Sequence, residues 1–135
     1  MTGLVVCVAV LAVASVFGLI QRRRSGRMKV RQGEAGLGAA QLGEELGERA
    51  TLVQFSSAFC APCRATRRVL GEVAEMVPGV AHVEIDAEDR LDLVRELGVL
   101  KTPTVLVLDA AGRIVRRASG QPRKADVIAA LGEAV

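Results

Sequence analysis

The sequence predicts an α/β domain, a central mixed sheet with helices on both faces, preceded by one N-terminal transmembrane helix. Three observations carry that prediction. Short apolar runs alternate with segments of helical periodicity, the pattern of parallel strands joined through crossover helices. The last two apolar runs are separated only by Asp109-Ala110-Ala111-Gly112, which adds an antiparallel hairpin. Residues 3–20 are apolar or small throughout, and a basic cluster follows them.

The N-terminal run, Gly3 to Ile20, is at the short end of what crosses a bilayer. A secretory signal peptide carries its positive charge ahead of the apolar stretch. Here Met1-Thr2-Gly3 has no charged side chain, and Gln21-Arg22-Arg23-Arg24 comes after. The positive-inside rule therefore predicts a retained single-pass anchor with the rest of the chain in the cytoplasm. The opposite topology, with the domain on the extracytoplasmic face, is the alternative. Cys7 reads as one more small apolar residue of this helix. The expected organisation is an anchor over residues 1–21, a basic juxtamembrane linker over 22–34 and an α/β domain over 35–135. Met28 to Arg31 is expected to form a short edge strand.

Charge is distributed unevenly. Six of the 18 Lys and Arg residues lie between Arg22 and Arg31, whereas every one of the 15 acids lies at Glu34 or beyond. The domain is thus mildly acidic, and the basic cluster has no aromatic partners. That pattern suits a lipid surface and argues against nucleic acid as a partner. With no Trp, no Tyr and three Phe, the core has to be aliphatic.

Within the domain, Ala39, Leu42, Leu46 and Ala50 recur at helical spacing and predict a helix over about 38–48. Thr51–Ser56 is a short apolar strand. Cys60–Met76 is a long helix with Val69, Leu70, Val73, Ala74 and Val77 on its apolar side and Arg64, Arg67 and Arg68 on the other. Pro78-Gly79 ends it. Val80–Ile85 is the next strand. Arg90–Leu97 is a helix with Leu91, Val94 and Leu97 on its apolar side, stopped by Gly98. Thr104–Leu108 and Arg113–Ala118 are the hairpin strands. Lys124 to the C-terminus is an amphipathic helix using Val127, Ile128 and Leu131.

The most informative feature is Cys60-Ala61-Pro62-Cys63, placed between a strand and a helix. Cysteines at i and i+3 share a helix face and lie within disulfide reach. At a helix N-terminus the unsatisfied N–H groups favour a thiolate, the reactive form of cysteine. This geometry makes Cys60 a nucleophile and Cys63 its resolving partner, the chemistry of dithiol–disulfide exchange. Zinc binding takes four ligands, and beyond this pair only Cys7 and His82 remain, so no metal is expected. No nucleotide-binding or haem-attachment motif is present. No cofactor is expected, and electrons have to come from a partner reductase or a small thiol.

Over roughly Gly38 to Val135 these residues resemble the thioredoxin family. Leu52-Val53-Gln54-Phe55 followed by the CxxC is similar to its strand and active-site turn. Val83-Glu84-Ile85-Asp86 is similar to its central strand, and Lys101-Thr102-Pro103-Thr104 to its cis-proline loop. Gly120 falls where the family has a glycine after the last strand. The resemblance implies that Cys60 attacks a substrate disulfide and that Cys63 resolves the mixed disulfide. It also implies that Pro62, Thr102 and Pro103 form the substrate-binding edge, with Pro103 in a cis peptide.

Departures from the family pattern matter as much. An acid that often helps move the resolving thiol's proton is replaced by Gln54. The aromatic positions before the CxxC are Ser56 and Phe59, and Ala61 stands where glycine is frequent. His82 falls near a lysine of some members. It reads either as an ordinary strand residue or, with Gln54, as part of a proton relay. The expected function is a membrane-tethered thiol–disulfide oxidoreductase acting on protein disulfides, as a reductant in the reducing cytoplasm. The alternatives are a non-catalytic binding module for a membrane partner and an extracytoplasmic exchange factor.

Overall fold

The computed structural model describes residues 1–24, 28–30 and 36–135. The elements in chain order are α1 (Thr2–Arg24), β1 (Met28–Val30), α2 (Ala39–Leu42), β2 (Ala50–Ser56), α3 (Ala61–Met76), β3 (Val80–Asp86), α4 (Leu91–Leu97), β4 (Thr104–Asp109), β5 (Ile114–Ser119) and α5 (Lys124–Ala134). The expected domain start at residue 35 and the expected strand end at Arg31 lie outside the described residues.

Five strands form one mixed sheet in the order β1-β5-β4-β2-β3. β2 and β3 are parallel, with Gln54 opposite Glu84, as expected for strands joined through a helix. β4 runs antiparallel to β2 and to β5, and β5 to the edge strand β1. Val53, Phe55, Val83, Ile85, Leu106 and Leu108 pack on one face, against Leu93 of α4 and Leu42 of α2. Leu52, Val105, Val107 and Ala118 pack on the other, against Leu70 and Val73 of α3 and Val127 and Leu131 of α5. β2 is buried along its whole length because both faces of the sheet are covered there.

Three expectations from periodicity are corrected. The helix expected over 38–48 stops at Leu42, because Gly43 adopts a left-handed conformation (φ 76°) and its N–H caps Ala39. In α4 the buried residue is Leu93, whereas Leu91 is 53% exposed. Val94 and Leu97 pack against the core as expected, so only the Leu91 position is exchanged for Leu93, because the two connections of a seven-residue helix rotate it slightly. In α5, Ile128 is exposed and Ala130 is buried in its place, because the small side chain permits close approach to the sheet.

Two contacts fix the loops near the site. Buried Arg117 donates to the carbonyls of Leu97 (2.5 Å) and Gly98 (2.7 Å), satisfying the end of α4. The β4–β5 turn requires Gly112, where φ is +85° and a Cβ would lie 2.2 Å from the Leu37 carbonyl oxygen.

α1 is long and apolar enough to cross a membrane over Thr2–Arg23, with a mean hydropathy of 2.8, and the side chains of that span are exposed.

Candidate active site

β2 delivers the chain to the sheet's C-terminal edge, and a four-residue turn then starts α3. Cys60 is the N-cap of α3 and Pro62 sits in its first turn, where a missing N–H costs nothing. Cys60 and Cys63 form a disulfide with Cα atoms 5.2 Å apart. The Cys63 N–H also donates to Cys60 Sγ at 3.2 Å. Cys60 is half-buried and Cys63 is buried. The outer sulfur is therefore open to solvent, while the inner one is shielded. A Cys60 thiolate would take up the same N–H together with the positive end of α3.

Phe59, immediately before Cys60, is fully exposed and has a left-handed backbone (φ 61°). A bulky residue there carries strain of about 1–3 kcal/mol. The Thr102–Pro103 peptide is cis, and the Pro103 carbonyl accepts the Gly120 N–H at 2.7 Å. The Ser57 and Thr102 hydroxyls are hydrogen-bonded at 2.8 Å, so the active-site turn and the cis-proline loop are tied side by side. Leu100, just upstream, is exposed.

Beneath the CxxC lies a polar chain that runs from buried Gln54 and Ser56 out to exposed Glu84 and Arg67. The Gln54 amide nitrogen donates to the Cys63 carbonyl (2.8 Å) and to Ser56 Oγ (2.9 Å). Both of its hydrogens are thus used, so the amide oxygen faces His82 Nε2 at 3.2 Å. An oxygen there requires a proton on that nitrogen, which makes neutral His82 the Nε2–H tautomer with its lone pair on Nδ1. Ser56 Oγ donates onward to Glu84 (3.3 Å), and Arg67 Nε donates to the same Glu84 oxygen at 2.6 Å. Ser56, at a position that is aromatic in the family pattern, is small. A recess of about 360 Å³ opens there, lined by Ser56, Ser57, Ala58, Arg67, Glu84 and Asp86.

The structure thus unites the sequence-predicted residues in two groups. Cys60, Cys63 and Pro62 share one turn, with Thr102 and Pro103 alongside. Gln54 and His82 meet beneath it. The sequence reading missed Ser56, Ser57 and Glu84 as members of the site. The signal was there, since Gln54 and Ser56 in β2, like His82 and Glu84 in β3, are polar residues at the two-residue spacing of one sheet face.

Burial lowers the pKa of His82, outweighing the attraction of Glu84; Arg67 lowers it further and Glu44 raises it. A histidine with a depressed folded pKa leaves stability unchanged above its unfolded value, about 6.5, and costs stability as pH falls through the window below it. We expect the stability of the chain, measured by urea titration in detergent micelles, to fall from about pH 6.5 downward. A His82→Gln variant should lose part of that acid sensitivity, and an identical pH dependence in both would refute the assignment.

A mixed sheet bearing a helix-capping CxxC disulfide, with a cis-proline loop beside it, defines the thioredoxin class of α/β folds. The chain belongs to the thioredoxin family: the family model "Thioredoxin" matches residues 39–133. A thioredoxin of Alicyclobacillus acidocaldarius subsp. acidocaldarius is 31% identical over 88 residues, covering 64% of this chain and 83% of that protein. Thioredoxin domain-containing protein 2 of Homo sapiens is 34% identical over 61 residues, or 45% of this chain and 11% of that protein. Thioredoxin-2 of Pyricularia oryzae is 27% identical over 73 residues, covering 54% of this chain and 43% of that protein. The chain therefore spans less than half the length of the human and Pyricularia relatives. Among solved structures, thioredoxin NaTrxh from Nicotiana alata superimposes with a TM-score of 0.57 at 26% identity, covering 64% of this chain and 74% of that one.

Proposed function

We propose that this protein is a membrane-tethered thiol–disulfide oxidoreductase whose Cys60–Cys63 couple reduces protein disulfides on the cytoplasmic side. The observation that carries the chemistry is the position of Cys60 Sγ, at the N-cap of α3 within hydrogen-bond reach of the Cys63 N–H and bonded to Cys63. In the reduced dithiol, the Cys60 thiolate attacks one sulfur of a substrate disulfide, and the other substrate sulfur leaves as a thiolate. Cys63 then loses its proton and attacks Cys60 Sγ. The Cys60–Cys63 disulfide forms and the second substrate sulfur is released, so two electrons have passed to the substrate. A donor reductase or small thiol restores the dithiol.

Phe59, Pro62 and the Thr102–Pro103 edge receive the substrate, with Thr102 backbone groups pairing to an extended segment. Gln54 cannot accept the Cys63 proton. With His82 held on its oxygen, it serves as a clamp on the Cys63 carbonyl.

The apolar stretch of α1 and the arginines at its C-terminal end support tethering with the domain in the cytoplasm. The test is labelling of Cys60 and Cys63 by a membrane-impermeant maleimide in intact cells, after gentle reduction, in a Cys7→Ser background. We expect no labelling until the membrane is opened. Labelling of intact cells would put the domain outside and favour exchange with exported proteins.

A further inference from the structure

We propose that Glu84, reached through Ser56 and the solvent of the neighbouring recess, takes the Cys63 proton in the resolving step. The proposal rests on the exchange reaction above. It answers a question that reaction leaves open, because the acid expected beside the resolving cysteine is Gln54 in this chain.

Three observations lead to Glu84. First, the two groups bonded to the Gln54 amide offer the proton unequal routes. An amide N–H is not an acid at neutral pH, and the His82 nitrogen that faces Gln54 already carries its proton. The chain from Cys63 through Gln54 to His82 therefore holds atoms in place and moves no proton. Ser56 differs, because a hydroxyl receives a proton on one lone pair while releasing its own. Its Oγ already points that proton at Glu84, 3.3 Å away.

Second, Ser56, the hydroxyl bonded to the carboxylate, is close to the Cys63 backbone. Ser56 Oγ and the Cys63 carbonyl oxygen share one donor nitrogen at 2.9 and 2.8 Å, which places them within about 6 Å of each other. One water spans a gap of that size, and a general base can act through an intervening water. Third, the recess beside Ser56 is polar and far larger than a water molecule needs, at about 360 Å³. It exists because serine and alanine occupy Ser56, Ser57 and Ala58.

Arg67 holds Glu84 from α3, its Nε 2.6 Å from Oε2, and so fixes the carboxylate in place. Asp86 lines the same recess, and His82, with Glu44 and Arg67 acting on it, stands on the neighbouring side. Of these groups, Glu84 is the one hydrogen-bonded to Ser56. The step balances: Cys63 S–H loses its proton to Glu84, and the sulfur bonds to Cys60 Sγ. The substrate thiolate that leaves takes up a proton in its turn.

The test follows the two chemical steps separately, on the full chain in detergent micelles with Cys7→Ser. A disulfide peptide substrate is mixed with the reduced protein, and samples are quenched in acid and weighed by mass spectrometry. Formation of the mixed disulfide reports attack by Cys60, and its decay reports resolution by Cys63. With Glu84 present, decay should be nearly independent of pH between about 6.5 and 8. In Glu84→Gln it should be at least about tenfold slower at neutral pH and climb about tenfold per pH unit, because resolution then waits for spontaneous ionisation of a thiol. Glu84→Asp should restore part of the flat profile. Arg67→Ala, which removes the ion pair but keeps the carboxylate, should keep the flat profile.

A Glu84→Gln chain that resolves at the parent rate with the parent pH profile would overturn the proposal. So would a steep profile in Arg67→Ala matching that of Glu84→Gln, since the ion pair alone would then explain the effect. If the parent chain forms no mixed disulfide at all, the exchange reading itself fails and this proposal falls with it.

Discussion

Cys63→Ser should convert the protein into a trap that holds its substrate as a mixed disulfide through Cys60, while Cys60→Ser should lower turnover by on the order of 10³-fold or more. The two effects differ because the cysteines occupy different environments. Cys60 caps α3, is half-exposed and receives the Cys63 N–H, so it retains its nucleophile when Cys63 is replaced. Cys63 is buried and bonded to Cys60, so removing it leaves attack intact and blocks release. Acid quenching and mass spectrometry read both outcomes directly. Equal, complete loss of adduct in the two variants would contradict the division of labour. The assay needs the Cys7→Ser background, because Cys7 is an exposed third thiol.

Phe55→Ala should destabilise the domain by about 3–5 kcal/mol, enough to unfold much of it at 37 °C. The size of the effect follows from composition. Of the three Phe residues, Phe17 and Phe59 are exposed, so Phe55 is the one aromatic ring in an otherwise aliphatic core. It sits on central strand β2 with no exposed surface, packed in the cluster containing Val53, Ile85, Leu106 and Leu108. Neighbours on both adjacent strands are fixed by the ladder, so the cavity has little scope to collapse. Urea titration of the full chain in micelles measures the loss. A shift below about 1 kcal/mol would show that the core is far more plastic than its packing indicates.

The sequence made the order of strands and helices legible because both faces of β2 and β4 are covered, and such strands read as largely apolar runs. The CxxC was legible for a different reason. Its chemistry depends on a local spacing and a helix start, both of which are written in consecutive residues. What depends on pairing between distant segments was not. Ser56 and Glu84 look like ordinary polar strand residues until β2 and β3 are aligned with Gln54 opposite Glu84. Ser57 acquires a role only once the cis-proline loop lies beside it. Leu93 and Leu91 exchange places relative to the helical stripe because α4 is too short for periodicity to fix its rotation. The polar network is therefore where sequence reading stops short. It is also where this chain departs from the pattern of the family it belongs to.

The most direct test of the central claim is insulin reduction by the full chain in micelles, carrying Cys7→Ser, with dithiothreitol as electron donor. The account predicts precipitation of the insulin B chain well ahead of dithiothreitol alone, with the acceleration lost in Cys60→Ser. A rate no faster than dithiothreitol alone would mean that the Cys60–Cys63 disulfide is not a working redox couple, and would leave the protein a thioredoxin fold used for binding.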